Sequence, residues 1–379
     1  MQLSTFTYAP EGGWSVPAFP DLDSPQTLVV VFGAPEYLDR PAPLAELFAA
    51  YPSSRWIGCS TAGEIAGPAV RDAILTVAVM RLQRSRVAVA SAKIGSAGES
   101  RAAGAELVRQ LDPRGLRAVF LLSDGLNVNG SELVNGVNSG LPGNVVVTGG
   151  LAADGDRFKR TWVIRDGRPE PGWITATAFY GEGLRVGHGS RGGWDSFGPE
   201  RRITRSKGNV LYELDGKPAL ALYKEYLGAR ASGLPATGLL FPLSIRADAS
   251  DTRHLVRTIL AVDEASQSMT FAGDVPSGYL AKLMRANFDR LVMGASDAAS
   301  SAGGQVQVAG ETLAIAISCV GRRLVLGERI EEETEATLEH LSPGTKQIGF
   351  YSYGEISPYA SGACDLHNQT MTLTTFAEA

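Results

Sequence analysis

One pattern recurs three times along the chain and constrains its fold more than any other feature. TLVVVFG (27–33) is an apolar, β-branched run ending at glycine; a helical stretch, PLAELFAA (43–50), follows, then Pro52 and SSRWIGCSTAGEI (53–65). The second copy runs from AVFLLSDG (118–125) through SELVNGVNSG (131–140) and Pro142 to NVVVTGGLAADG (144–155). The third runs from TLAIAISCVG (312–321) through GERIEEETEATLEHL (327–341) and Pro343 to KQIGFYSYGEI (346–356). Each reads strand, glycine-bearing loop, helix, proline, strand, then a cluster of small and acidic residues. Six residues separate Pro52 from Gly58, Pro142 from Thr148 and Pro343 from Gly349.

A crossover this short makes its two strands parallel neighbours with the helix on one face. The carboxyl ends of both strands then share an edge, where open α/β sheets hold ligands. Between the units lie β-type runs that read as antiparallel pairs: 73–82 with 86–94, 160–167 with 174–187, and a hairpin over 255–273 turning at Ser266. The expected fold is therefore α/β, with mixed sheets built from strand–helix–strand units and hairpins in two packed lobes. The glycine- and charge-rich stretch RVGHGSRGGWDSFGPERR near 185–205 is the natural boundary, giving domains of 1–190 and 191–379. Asp215 is placed to cap a helix with Pro218 in its first turn, a stripe of Leu220, Tyr223 and Leu227, and Gly228 as its stop. SGYLAKLMRANFDRLVMG (277–294) reads as a second helix capped by Ser277, with Leu280, Met284, Phe288 and Leu291 on one face. SSAGGQVQVAGE (300–311) reads as a glycine-rich loop, and Glu328, Glu332, Glu335 and Glu339 as a solvated helix face.

Composition narrows the function. With 35 basic and 40 acidic residues among 379, the net charge is −5, the wrong sign for a general nucleic-acid binder. Glycine reaches 44 copies without a collagen-like period, as expected where many loops approach one another closely. Three cysteines, Cys59, Cys319 and Cys364, form no disulfide framework and suit a reducing compartment. No signal-peptide pattern opens the chain, and no apolar run is long enough to span a membrane. The expectation is a cytoplasmic protein with no membrane insertion.

Standard catalytic signatures are missing: there is no GxSxG elbow, no GxxxxGK[ST] phosphate loop, no CxxC and no HExxH. The small and acidic clusters that close the three units carry the chemistry instead. GCSTAGEI (58–65) offers Cys59, Ser60, Thr61, Gly63 and Glu64. Cys59 is either a small buried strand-end residue or, with Ser60, a nucleophile. Asp124 in SDG and Asp154 in LAADGD are turn formers or ligand groups, with Gly149 and Gly150 close by. The last cluster, YSYGEISPYASGACDLHNQT (351–370), adds Tyr351, Tyr353, Glu355, His367 and Asn368. Aromatic groups beside a few convergent polar ones make a small-molecule pocket. Glu64 and Glu355 would fix a cationic group from strand ends that meet around one cavity, and Ser60, Thr61, Tyr351 and Asn368 would orient the rest.

These residues carry a family resemblance. GCSTAGEI (58–65), LLSDG (121–125), GGLAADGDRF (149–158), GNVLYELDGKPALALY (208–223), FYSYGEI (350–356) and HNQTMTLT (367–374) resemble the FIST family, a sensory module with N-terminal and C-terminal halves. The resemblance implies a signal-transduction sensor that binds a small ligand such as an amino acid. With no output segment of its own, it would act through a partner protein. One bacterial branch is similar to nitric-oxide-sensing haemoproteins that regulate histidine kinases or cyclic-di-GMP enzymes. For that branch haem b would be the cofactor, with His188 as first candidate axial ligand and His367 as second.

Overall fold

The computed structural model describes all residues except 253, 307, 309 and 359–362. The three sequence units become three mixed sheets that hand the chain to one another in a closed cycle. Each unit forms a parallel pair: Thr27–Gly33 with Arg55–Ser60, Leu116–Ser123 with Val146–Leu151, and Leu313–Cys319 with Lys346–Ser352. After its second strand the chain crosses to a neighbouring sheet. Glu64–Ala66 pairs antiparallel with Lys346–Ser352, Gly354–Pro358 with Val146–Leu151, and Val163–Arg165 with Arg55–Ser60. An antiparallel strand closes the other side of each pair: Leu75–Arg81, Trp173–Tyr180 and Met371–Glu378.

The glycine common to the units has one cause. A Cβ at Gly58, Gly149 or Gly349 would run into the carbonyl of Val31, Leu121 or Ala316 on the paired strand. In the second unit this glycine comes one residue later than the proline spacing predicts, at Gly149 rather than Thr148. The inner faces of the three sheets meet in an apolar centre: Phe32 lies 4.6 Å from Phe350, and Phe179 lies 4.6 Å from Phe376. Helices cover the outer faces, Ala42–Ala50 on the first sheet, Ser100–Arg109 and Gly130–Asn138 on the second, Phe288–Gly304 and Ile330–Glu339 on the third.

A smaller domain sits between the strand Leu184–Arg191 and the helix Phe288–Gly304. It is an eight-stranded antiparallel sheet carrying the helix Ala219–Leu227, with its own core around Leu211, Tyr223, Phe271 and Leu283. Its first strand, Asp195–Lys207, and its last, Leu280–Arg285, lie side by side, with Asp195 opposite Arg285. Arg257 clamps it to the larger body by donating to the Leu366 carbonyl at 3.1 Å, and Asn129 Nδ2 reaches Asp274 at 2.8 Å.

Several local expectations are corrected. Leu75–Arg81 and Arg86–Lys93 are not a hairpin: the first belongs to the first sheet and the second pairs with Trp173–Tyr180. Nor does Val163–Arg165 pair with 174–187; its partners are Arg168–Glu170 and Cys59. Leu280–Arg285 is a strand, and the helix begins at Phe288, where Asn287 accepts from the Arg290 amide. That helix continues to Gly304, so the glycine-rich stretch 300–311 opens helical, and residues 307 and 309 of it lie outside the described residues. Asp215 sits in a turn (φ 51°) and bonds the Arg202 amide instead of capping Ala219–Leu227, whose N-cap is Pro218. Leu220, Tyr223 and Leu227 are buried and Gly228 ends the helix, as expected. The turn at Ser266 does join Ile259–Asp263 to Ser268–Phe271.

Candidate functional site

The segments that follow the three parallel pairs interlock at the centre of the body. Ser60 N donates to Trp162 O at 2.9 Å, Ala153 N to Ser60 O at 3.0 Å, Ala62 N to Tyr351 O at 2.8 Å and Tyr351 N to Gly63 O at 2.9 Å. Gly63 takes φ 132°, a conformation that lets the chain turn from one sheet into the next. Glu64, 1% exposed, receives the Thr61 hydroxyl and, at 3.2 Å, the Ile74 amide. Burial pushes its carboxyl up to about 8, with the two hydrogen bonds pulling the other way, so at neutral pH it is mostly protonated.

Glu64 nonetheless lines a cavity of about 240 Å³, together with Thr61, Gly63, Asp72, Arg157 and Arg323. Arg323 grips Asp72 with two hydrogen bonds, at 2.8 and 2.6 Å, and also donates to Ala62 O. That grip holds the Asp72 carboxyl below the usual carboxylate range. Arg157 pairs with Glu36 and donates to Asp154 O at 2.6 Å. The wall thus presents a neutral acid, Glu64, and two guanidinium groups that are paired with two further acids of the same wall, Asp72 and Glu36.

Gly155 stands in the wall of this cavity and of a larger one, about 680 Å³, whose lining is mostly apolar. The larger cavity lies where the two domains meet. The body supplies Phe158, Val320 and Leu324; the smaller domain supplies Leu240, Ile259 and Leu260. Seven large hydrophobic side chains are exposed among the described residues, and four of them, Phe158, Leu240, Leu260 and Leu324, line this one cleft. Such clustering marks a binding surface, whereas scattered exposure would not. Phe158 is held in place by stacking on Tyr353 at 4.5 Å, and Tyr353 donates to Asp154 and to Gly155 O at 2.9 Å. Asp154 also accepts the Lys159 and Arg160 amides at 2.8 and 2.9 Å, so it shapes the loop that carries Gly155, Arg157 and Phe158.

The remaining sequence candidates lie elsewhere. Cys59 is fully buried, and burial pushes its thiol well up; the Ser60 hydroxyl accepts the Trp162 amide at 3.1 Å. Asp124 organises a turn, bonding the Leu126 and Asn127 amides, both at 2.8 Å. Gly149 and Gly150 are strand positions opposite Ile356 and Glu355. Tyr351 is buried with its hydroxyl on Glu333 at 2.8 Å, beside the fully buried pair Arg322–Glu333. Glu333 is missing from the acidic stripe read in the sequence, and it is the buried glutamate of that helix. Glu355, 0% exposed, is enclosed by the Ser352 hydroxyl at 2.6 Å and the Thr370 hydroxyl and amide at 2.9 and 3.2 Å; burial pushes it, too, up to about 8. Among the described residues it lines neither the cavity that Glu64 lines nor the apolar one beside it. Asn368 is 1% exposed and neither polar atom of its side chain has a partner among the described residues.

The two histidines considered as haem ligands both lie away from the cavities described above. His367 is buried, its ring lowered to about 4 by burial, and Nε2 lies 3.0 Å from the Ser357 carbonyl. His188 lies opposite Thr374 in the middle of the strand Leu184–Arg191. Among the described residues, neither the polar cavity beside Arg323 nor the apolar cleft has a histidine, cysteine or methionine in its wall.

Sequence reasoning missed Asp72, Arg157, Arg323 and the whole apolar cleft. The adjacent Arg322 and Arg323, directly after a wholly buried strand, were the one available signal, since two charges there demand partners.

Comparison with known proteins divides the chain at residue 218, within the smaller domain. A model described as the FIST N domain matches residues 27–217, and one described as the FIST C domain matches residues 219–358. No curated protein matches the chain. Among solved structures, the chain is similar to a cyanuric acid hydrolase at 9% identity and a TM-score of 0.35, covering 100% of this chain and 99% of that one. It is also similar to the cyanuric acid hydrolase from A. caulinodans, at 9% identity and a TM-score of 0.33, covering 99% and 98%.

Proposed function

The chain belongs to the FIST family, and from that premise we propose that it is a sensor whose ligand bridges the polar cavity and the apolar cleft. FIST domains are sensory domains of signal transduction that bind small ligands. The observation that carries the reading is the shared wall at Gly155, which sets three acids, Glu36, Glu64 and Asp72, and two arginines against an apolar space lined by both domains. A zwitterion with an apolar tail matches it. Its ammonium group would face Glu64 and Asp72, its carboxylate Arg157 and Arg323, and its side chain Phe158, Leu240, Leu260 and Leu324. An amino acid with a large apolar side chain is the ligand class with that chemistry.

The ligand would act by contacting both domains at once and favouring the arrangement in which they close on it. A partner protein would read that arrangement, in line with the histidine kinases and cyclic-di-GMP enzymes of the related bacterial branch. Three cysteines without a disulfide support a cytoplasmic setting, and among the described residues no helix is long and apolar enough to cross a membrane.

The test is a thermal-shift screen of the amino acids followed by calorimetry. An aromatic or branched amino acid is expected to raise the melting temperature, with at least tenfold weaker binding in Arg323→Gln and in Leu240→Ser. Binding that survives both substitutions, or that is confined to small polar amino acids, would refute the reading.

A further inference from the structure

A third cavity, of about 500 Å³, opens at the seam between the first two sheets, at the start of the strand Arg55–Ser60 rather than past its end. Three arginines from three strands line it: Arg55 on Arg55–Ser60, Arg86 on Arg86–Lys93 and Arg165 on Val163–Arg165. The wall contains a single carboxylate, Asp166. Asp166 and Glu170 engage the terminal nitrogens of Arg165 at 3.1 and 3.3 Å, and the carboxylate nearest Arg86 is Asp112, at 4.0 Å.

Two buried polar atoms in this wall have no partner among the described residues. Arg165 Nε is shielded from solvent and bonds nothing, although its guanidinium is fixed over the Trp173 ring at 3.9 Å. Thr175, 0% exposed, also lines the cavity with an unpartnered hydroxyl. A buried donor left unmade costs its desolvation, so two in one cavity point to something that completes them.

The backbone adds more donors. Arg86–Lys93 is the edge strand of its sheet. Ile94 N bonds Gly172 O at 2.9 Å, and the register pairs Ala92 with Ile174, so even-numbered residues face the neighbouring strand. The main-chain groups of Val87, Val89 and Ser91 point outward instead. Of these, the Ser91 carbonyl is already taken by Gln110 at 2.9 Å, and Val87, Val89 and Ser91 all line the cavity. The open edge thus presents the amides of Val87, Val89 and Ser91 together with the carbonyls of Val87 and Val89, and the arginine side chains add positive charge.

We propose that this cavity is an oxyanion site for a small molecule bearing a phosphate or carboxylate group. Arg55 and Arg86 supply the charge, and Arg165 Nε and the Thr175 hydroxyl supply fixed donors. The site is separate from the domain cleft and does not depend on the reading given for it. Inorganic pyrophosphate and citrate serve as probes, titrated calorimetrically against the full chain with sodium chloride matching the ionic strength. One or both are expected to bind, and whichever binds more tightly distinguishes a phosphate from a carboxylate ligand. Arg55→Gln with Arg86→Gln should weaken binding at least tenfold, while Arg323→Gln leaves it unchanged. Thr175→Val keeps the side-chain shape and removes a hydroxyl that has no partner, so it should leave the melting temperature of the free protein undiminished yet weaken the anion about threefold or more. Binding no tighter than in the chloride control, or unaltered in both the arginine and the Thr175 variants, would overturn the assignment.

Discussion

Glu64 and Glu355 occupy related places, each just past the second strand of its unit, and both are buried with no ion pair among the described residues. Hydroxyl and amide donors hold each one, and burial pushes each to about 8 from 4.5. The unfolded chain therefore releases both protons near pH 4.5 and the folded chain only near pH 8. Between those values the folded state binds more protons, so this part of the stability is whole below about 4.5 and is lost as the pH rises to about 8. Glu378 works in the opposite direction: burial alone would raise it, but amide donors from Gln83, Arg84 and Ser85 win and hold it at about 2. Its contribution is whole above about 4.5 and drains as the pH falls toward 2. Thermal melts are expected to peak near pH 5 and to decline toward pH 8. Glu64→Gln and Glu355→Gln should each flatten that decline, and a wild-type melting temperature that rises steadily from pH 5 to pH 8 would contradict the assignment. The sequence displayed both glutamates; what it could not display was that Ser352 and Thr370 would enclose one of them while Gly63 and Arg323 left the other beside a cavity.

Among the elements, a fully buried ion pair helps to seat Ile330–Glu339 against the third sheet. Arg322 and Glu333 are both 0% exposed, joined at 2.7 Å, with Ser318 and Tyr351 on the same carboxylate and the Leu291 carbonyl on the guanidinium. Arg322→Met would leave Glu333 buried and uncompensated, and should cost about 3–5 kcal/mol in chemical denaturation. The double substitution Arg322→Met with Glu333→Leu removes both charges and should recover much of that loss. The strands and helices of the three units were legible because periodicity and proline punctuation are local signals. Sheet membership was not. The short turn between Arg81 and Arg86 looks like a hairpin from sequence, yet the two runs it joins diverge into different sheets, since each finds a better apolar partner far along the chain. The run 280–291 misled for another reason: Leu280, Met284 and Leu291 fall at helical spacing, while Leu280–Arg285 is fixed as a strand by pairing on both sides with Leu243–Arg246 and Asp195–Lys207.

For the whole molecule, cyclic exchange between the sheets means that neither end of the chain can complete a core alone. Glu64–Ala66 has its partner in Lys346–Ser352, and Leu184–Arg191 has its partner in Met371–Glu378. A fragment ending at residue 217, where the first family match stops, is expected to lack a cooperative unfolding transition. Mixing it with the complementary fragment should restore one, and a fragment that melted cooperatively by itself would show that the sheets close independently. The cleft proposed to bind the ligand escaped the sequence for the same long-range reason. Its apolar wall comes from 158, 234–240, 259–260 and 320–325, positions that look in isolation like ordinary core residues.

The smaller domain leaves the body at Asp195 and returns at Arg285, residues that face each other across two antiparallel strands. Their Cα atoms are then about 5 Å apart, as for any such pair. Trp194 anchors the outgoing chain by donating to the Gln369 carbonyl at 2.8 Å. To the rest of the polypeptide such a neck is a single short loop, whatever hangs from it. Lineages could therefore exchange the entire cap for one of different shape, redrawing half of the cleft's lining while the three-sheet ring kept its packing, and so acquire new chemical specificities by graft rather than by gradual remodelling.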